Sequence, residues 1–301
     1  MKNSPVIFTF LLFFFQGIHA QPDPDFTSCD SLAYLRIPDR HQDALSGSDF
    51  VVQVAGMCLE DREAAAVREI LSGNVPSFSR RLKALKISQS IDAKVFELVY
   101  YATCDYLAIG SDEDYLYMPL TPSTAQYLAD TLLCSLPTSR IVDHIYLNSE
   151  LKLFPQPIPP SDAMTTVKVF RQHMDSINHQ ISHLGIDRSE SRIAAGHKKD
   201  IIISNKIYDP AKPGERVVIY GWHMGDGSPI QPAYNGHIAR YVDYSHGLRF
   251  ISRIAYVNHE AVNVKELLKD PRLSILLSNE GVIKRPYYPQ SKQFKQGENV
   301  P

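Results

Sequence analysis

Val167, Phe170, Met174, Ile177, Ile181 and Leu184 recur at alternating steps of three and four residues, and Gly185 follows the last of them. That spacing lays an apolar stripe along one side of an α-helix, and glycine accepts the left-handed conformation that ends one. The chain must therefore bury at least one long amphipathic helix. Beyond it the pattern changes. "DIIISNKI" and "RVVIYGW" are β-branched runs separated by the turn-rich "YDPAKPGE", which predicts a hairpin. "LRFISRIAYV" predicts a further strand, Asn263 opens a short helix, Asp270-Pro271 opens another, and "GVIKRPYYP" reads as a last strand.

Upstream, "EDREAAAVREILSG" has the alanines and acidic start of a helix, with Gly73 placed to stop it. "AKVFELVYYATC" fits a helix or a buried strand, and periodicity does not decide between them. Thr121 before Pro122, and Thr138, are placed as N-caps of two more helices. The fold class expected is α+β: a mostly helical N-terminal half, then a mixed or antiparallel sheet with short helices. The proline-rich run 155–160 is the one clear linker, an extended semi-rigid connection. It divides a disulfide-containing region, 21–154, from an α/β region, 161–289, and the tail 290–301 reads as disordered.

The first twenty residues have the form of an export signal: Lys2, then an apolar run from Val6 to Phe15, then small Ala20. Cleavage after Ala20 leaves a secreted or periplasmic protein. The apolar run is too short to cross a bilayer, so no integral membrane segment is expected in the mature protein. The formal charge of −2 gives no basic footprint for DNA or RNA, which excludes nucleic acid as a partner. Cys29, Cys58, Cys104 and Cys134 all lie in the first half. In an exported chain an even count predicts disulfide staples, with a nucleophilic Cys104 as the alternative.

Groups able to do chemistry concentrate in 196–249, in "GHKKD", "GWHMGDGSPIQP" and above all "HIARYVDYSHGLR", His237 to Arg249. His223, His237 and His246 are enough for a three-ligand catalytic metal site, for which zinc is the candidate cofactor, the alternative being a metal-free acid–base site with no cofactor, and Asp243 could orient a histidine. On a continuous strand Asp243 and His246 would face opposite sides, so they meet only if the strand ends or twists between them. Arg249 and Lys198 are placed to hold a substrate carboxylate, and Trp222 and Tyr244 to form an aromatic platform. Taken singly, each of these residues has an equally ordinary structural use, Lys198 and Lys199 as a solvated pair for instance. His179 and His183 have helical i,i+4 spacing but lack the glutamate of HExxH, Gln180 standing in its place, and read as a solvated helix face. "SDEDY", Ser111 to Tyr115, reads as a polar turn before it reads as a calcium or acid–base site.

Ser245, His246, Gly247 and Arg249 also resemble the "SHGCIR"-type motif of the YkuD family of L,D-transpeptidases, exported enzymes that remodel peptidoglycan. The strand, short helix and strand expected downstream have a similar order. Leu248 stands where that family has its cysteine nucleophile, so its acyl transfer does not carry over. "AGHKKD", "YGWH", "PIQP" and "YVDYSHG" together look like a block of exported bacterial proteins. The resulting expectation is a secreted hydrolase acting on an amide bond of an extracellular or cell-envelope polymer, peptidoglycan peptide first. Its catalytic residues would be His246, Asp243, His223 and His237. The competing expectation is a non-catalytic module that binds cell-wall peptide or glycan through Trp222 and nearby tyrosines.

Overall fold

The computed structural model describes residues 33–186, 188, 192–290 and 292–294. The export signal, its cleavage point and Cys29 lie outside the described residues.

The largest sheet is built on a hairpin. Arg81–Ile91 pairs antiparallel with Lys94–Thr103, from Leu82 opposite Thr103 to Ile91 opposite Lys94. Its two-residue turn places Asp92 at φ 48° and Ala93 at φ 61°. Left-handed backbone at both turn positions matches the right-handed twist of the flanking strands. Leu98, Tyr100 and Ala102 alternate along the second strand and are fully buried, so one face of the hairpin forms core. The ambiguous "AKVFELVYYATC" is thus a strand. Cys134–Ser135, Ile251–Ser252 and Ile254–Val257 extend the same sheet.

Two sequence expectations change here. The first half is not mostly helical, because it holds the two longest strands among the described residues. And strands from both sides of the proline-rich run share one sheet, so the run joins parts of a single packed unit. The run itself is held down where Ile158 N donates to Tyr244 Oη at 2.8 Å.

The helix starts follow their caps. Ser46, Thr121, Thr138 and Thr166 each accept from the backbone N–H three residues on, and Asn263 from the one two residues on. Gly73 ends the helix Leu59–Leu71 at φ 89°. In the helix Val167–His183 the stripe from Val167 to Ile181 is buried as its spacing requires, while Leu184 at the C-cap is exposed.

The second sheet runs Pro229–Tyr234, Ile219–His223, Lys199–Ile201, His246–Gly247, with the last pair parallel. It is the mixed sheet expected, including the hairpin of "DIIISNKI" with "RVVIYGW". "GVIKRPYYP" forms no strand among the described residues. It is anchored instead by Tyr288, whose buried hydroxyl donates to Ile202 O at 2.7 Å and accepts from Val218 N at 3.0 Å. Part of the tail is ordered: Lys292–Phe294 forms a 3-10 turn, and the Phe294 ring stacks on Tyr127 at 4.8 Å.

Cys58, Cys104 and Cys134 are free thiols. The expected staple is not formed among these three. Burial pushes the Cys104 thiol up to about 11 and the Cys134 thiol up to about 12, which suits packing and disfavours a nucleophilic Cys104. No helix among the described residues is long and apolar enough to cross a membrane.

Candidate functional site: a polar core around Lys199

The strand Lys199–Ile201 is central to the second sheet, and alternation sends its side chains to opposite sides. Lys199 lies opposite His246 on one neighbouring strand and Gly221 on the other. Its Nζ sits 4.6 Å above the Trp222 ring. Burial pushes the Lys199 amine below its usual range, with Asp243 opposing.

"YVDYSHG" brings Asp243 and His246 together because it is a turn, not a strand. His246 N donates to Asp243 O at 3.1 Å, and the strand His246–Gly247 begins only there. Asp243 Oδ1 accepts from Ser245 N at 2.8 Å and from Ser245 Oγ at 2.5 Å. It stands 3.9 Å from His246 Nε2. Burial pushes the Asp243 carboxyl up, but His246, Ser245 and Lys199 together hold it below its ordinary value. The His246 ring is 1% exposed, and neither ring nitrogen has a hydrogen-bond partner among the described residues. Burial pulls its pKa down to about 4, so the imidazole is neutral at pH 7. Tyr241 packs edge-on against it at 6.3 Å and stacks at 4.2 Å on His237, which burial also keeps neutral. His237 and Tyr241 are half-buried and form the outer side of this group.

His223 does not join them. The strand Ile219–His223 turns it towards the helix Ser139–Leu147, where Nε2 lies 3.0 Å from Asp143 Oδ1 and the ring stacks on Tyr146 at 4.5 Å. It lines a narrow crevice with no room for a water molecule, together with Tyr106, Tyr146, Asp200 and Arg249. The zinc set His223, His237 and His246 is therefore not assembled. Among the described residues no three histidine, cysteine or carboxylate side chains are grouped to hold a metal.

The four residues expected to bind substrate are all interior. Arg249 donates to Thr103 O at 2.7 Å and to Ala194 O at 2.6 Å, and its guanidinium lies 4.3 Å over the Tyr106 ring. With Asp200 3.7 Å away, it ties the two sheets together rather than facing a ligand. Tyr244 spends its hydroxyl on Ile158. Trp222 is 6% exposed, packs edge-on against Tyr244, and holds a left-handed φ of 60°, a strained conformation for so large a side chain. Lys198 is not a solvated lysine: its Nζ donates to Tyr244 O at 2.6 Å and sits 3.2 Å from His173 Nδ1. Burial brings its pKa down to about 7.

Lys198 leads to a second group that sequence reasoning passed over. Asp105 is buried, accepts from Tyr117 Oη at 2.6 Å and Tyr106 N at 2.6 Å, and is bridged by Arg188. His197 Nε2 lies 3.4 Å from it. Burial opposes ionisation of Asp105, but Arg188, His197 and Arg249 outweigh it and hold the carboxyl far below its usual range. Burial pulls the pKa of His173 and of His197 below its ordinary value, with Asp105 opposing at His197. His197 was visible in "GHKKD"; Asp105 and His173 carried no local signal. "SDEDY" is a turn whose carboxylates serve the backbone: Asp112 accepts from Ser77 N and Asp114 from Ser48 N.

No family model, curated protein or solved structure matches the chain.

Proposed function

We propose that the protein is a hydrolase that cleaves an amide bond in an extracellular or cell-envelope polymer, peptidoglycan peptides first, with His246 as general base. One observation carries this reading. A buried histidine that served only as scaffold would normally have its ring nitrogens satisfied. His246 has neither satisfied, is neutral at pH 7, and stands 3.9 Å from an ionised carboxylate. His197 is orphaned in the same way beside Asp105, but it packs among the buried rings of Tyr106 and Tyr117, whereas His246 packs against half-buried Tyr241. When its imidazole takes a proton from an attacking water, Asp243 stabilises the imidazolium, and the same proton then passes to the leaving amine. His237 and Tyr241 form the half-buried outer side of the group, and perturbed titrating groups crowded together are what such chemistry needs. His223 and Arg249 have no part in it.

A second reading, binding without turnover, is favoured by a different observation. Tyr234, His237 and Tyr241 form a ladder of rings, with centroids 5.4 and 4.2 Å apart and Tyr234 exposed. Such a ladder suits a sugar or peptide face, and it replaces Trp222 as the platform. Incubation with muropeptides, followed by mass spectrometry, separates the two. New cleavage products, lost in Asp243→Asn and His246→Asn, are expected. Retained pull-down of the polymer with no product would overturn the hydrolase in favour of the binder.

A further inference from the structure

The helix Val167–His183 presents His173 to the buried network, while His179 and His183 lie on its solvent side. One helical turn separates these two, and their Nε2 atoms stand 2.9 Å apart with ring centroids at 4.3 Å. No other hydrogen bond or ring contact engages either imidazole among the described residues. Asp175, a turn earlier, is tied to Arg171 Nε at 2.8 Å and stays with it.

We propose that His179 and His183 form a two-imidazole chelate for a divalent transition-metal ion, copper(II) or nickel(II) ahead of zinc(II). In the free protein one ring donates its Nε2 proton to the other. A metal replaces that proton, with both rings in the Nδ1–H form and Nε2 as donor. The spacing lets both rings reach one ion, and the ordinary affinity order of nitrogen sites puts copper(II) first. Two nitrogens each about 2.0–2.1 Å from a metal are about 2.9 Å apart at a right angle and about 3.3 Å apart at the tetrahedral angle. The hydrogen-bonded rings already stand 2.9 Å apart, so the cis geometry of tetragonal copper and nickel sites needs no larger separation. Water completes the coordination, since the helix side is open to solvent. The site stands apart from His246, and its test is independent of any hydrolytic activity.

The test is calorimetric titration of the full chain with copper(II), nickel(II) and zinc(II) in a non-chelating buffer, alongside His179→Ala and His183→Ala. Both positions are exposed, so each variant should keep the wild-type circular dichroism and metal-free Tm, and the remaining histidines set a common background. We expect one equivalent of copper bound by the wild type, weakened tenfold or more in each single variant, with zinc weaker than copper. A copper-induced rise in Tm should appear in the wild type and vanish in both variants, because only the folded helix presents the pair. Equal copper binding by the wild type and either variant, or tighter zinc than copper, would overturn the proposal.

Discussion

Replacing His246 by asparagine changes how stability depends on pH, by an amount the structure sets. Burial holds the folded-state pKa of His246 at about 4, against 6.5 for an ordinary histidine. The gap is about 2.5 units, and at about 1.36 kcal/mol per unit it corresponds to about 3 kcal/mol. The sign follows from which state binds the proton first. Between pH 6.5 and about 4 the unfolded chain protonates this imidazole while the folded chain does not, so folding weakens as pH falls through that window. Above pH 6.5 the contribution is complete. His173, His197 and Asp105 are present in both proteins, so the difference between them reports His246 together with Asp243, the carboxylate coupled to it. Denaturant unfolding at pH 7.5 and pH 4 should therefore show the wild type losing about 3 kcal/mol more than His246→Asn on acidification. Identical losses in the two proteins would refute the reasoning: the ring would then be hydrated or paired in solution, and the argument for its role as a free base would go with it.

Arg249→Met should cost about 3–5 kcal/mol, because it leaves Asp200 and two carbonyls buried without their cation. Thermal unfolding should report this as a Tm lower by roughly 10 °C; an unchanged Tm with a raised KM would restore Arg249 as a substrate clamp. Alkylation of the native, unreduced protein with peptide mapping should label exposed Cys58 quickly and leave Cys104 and Cys134 untouched until denaturant is added. Recovery of any two of these three as a disulfide would contradict the structure.

Much of the local structure was legible because it rests on neighbours in sequence. Thr121, Thr138 and Asn263 could be read as caps because a cap bonds two or three residues away. The stripe from Val167 to Ile181 could be read as a buried helix face because one element fixes its period. The hairpin of Arg81–Ile91 and Lys94–Thr103 escaped notice, since its turn is Asp92-Ala93 and lacks the glycine that usually marks left-handed turn positions.

The site divides the same way. Sequence alone marked 196–249 as the chemical region and singled out Asp243 and His246, and it stated that they could meet only if the strand broke between them. Tertiary structure decided that it does. It also decided that His223 faces Asp143 and Tyr146 on a helix some eighty residues upstream, and that Asp105 reaches His197 across a similar span. Whether Lys198 is solvated or buried, and whether Arg249 meets a ligand or two carbonyls, depends on which distant backbone packs over them. Charge and residue type are written in the chain; desolvation, which sets the protonation of His246 and Lys198, exists only once the two sheets close over them.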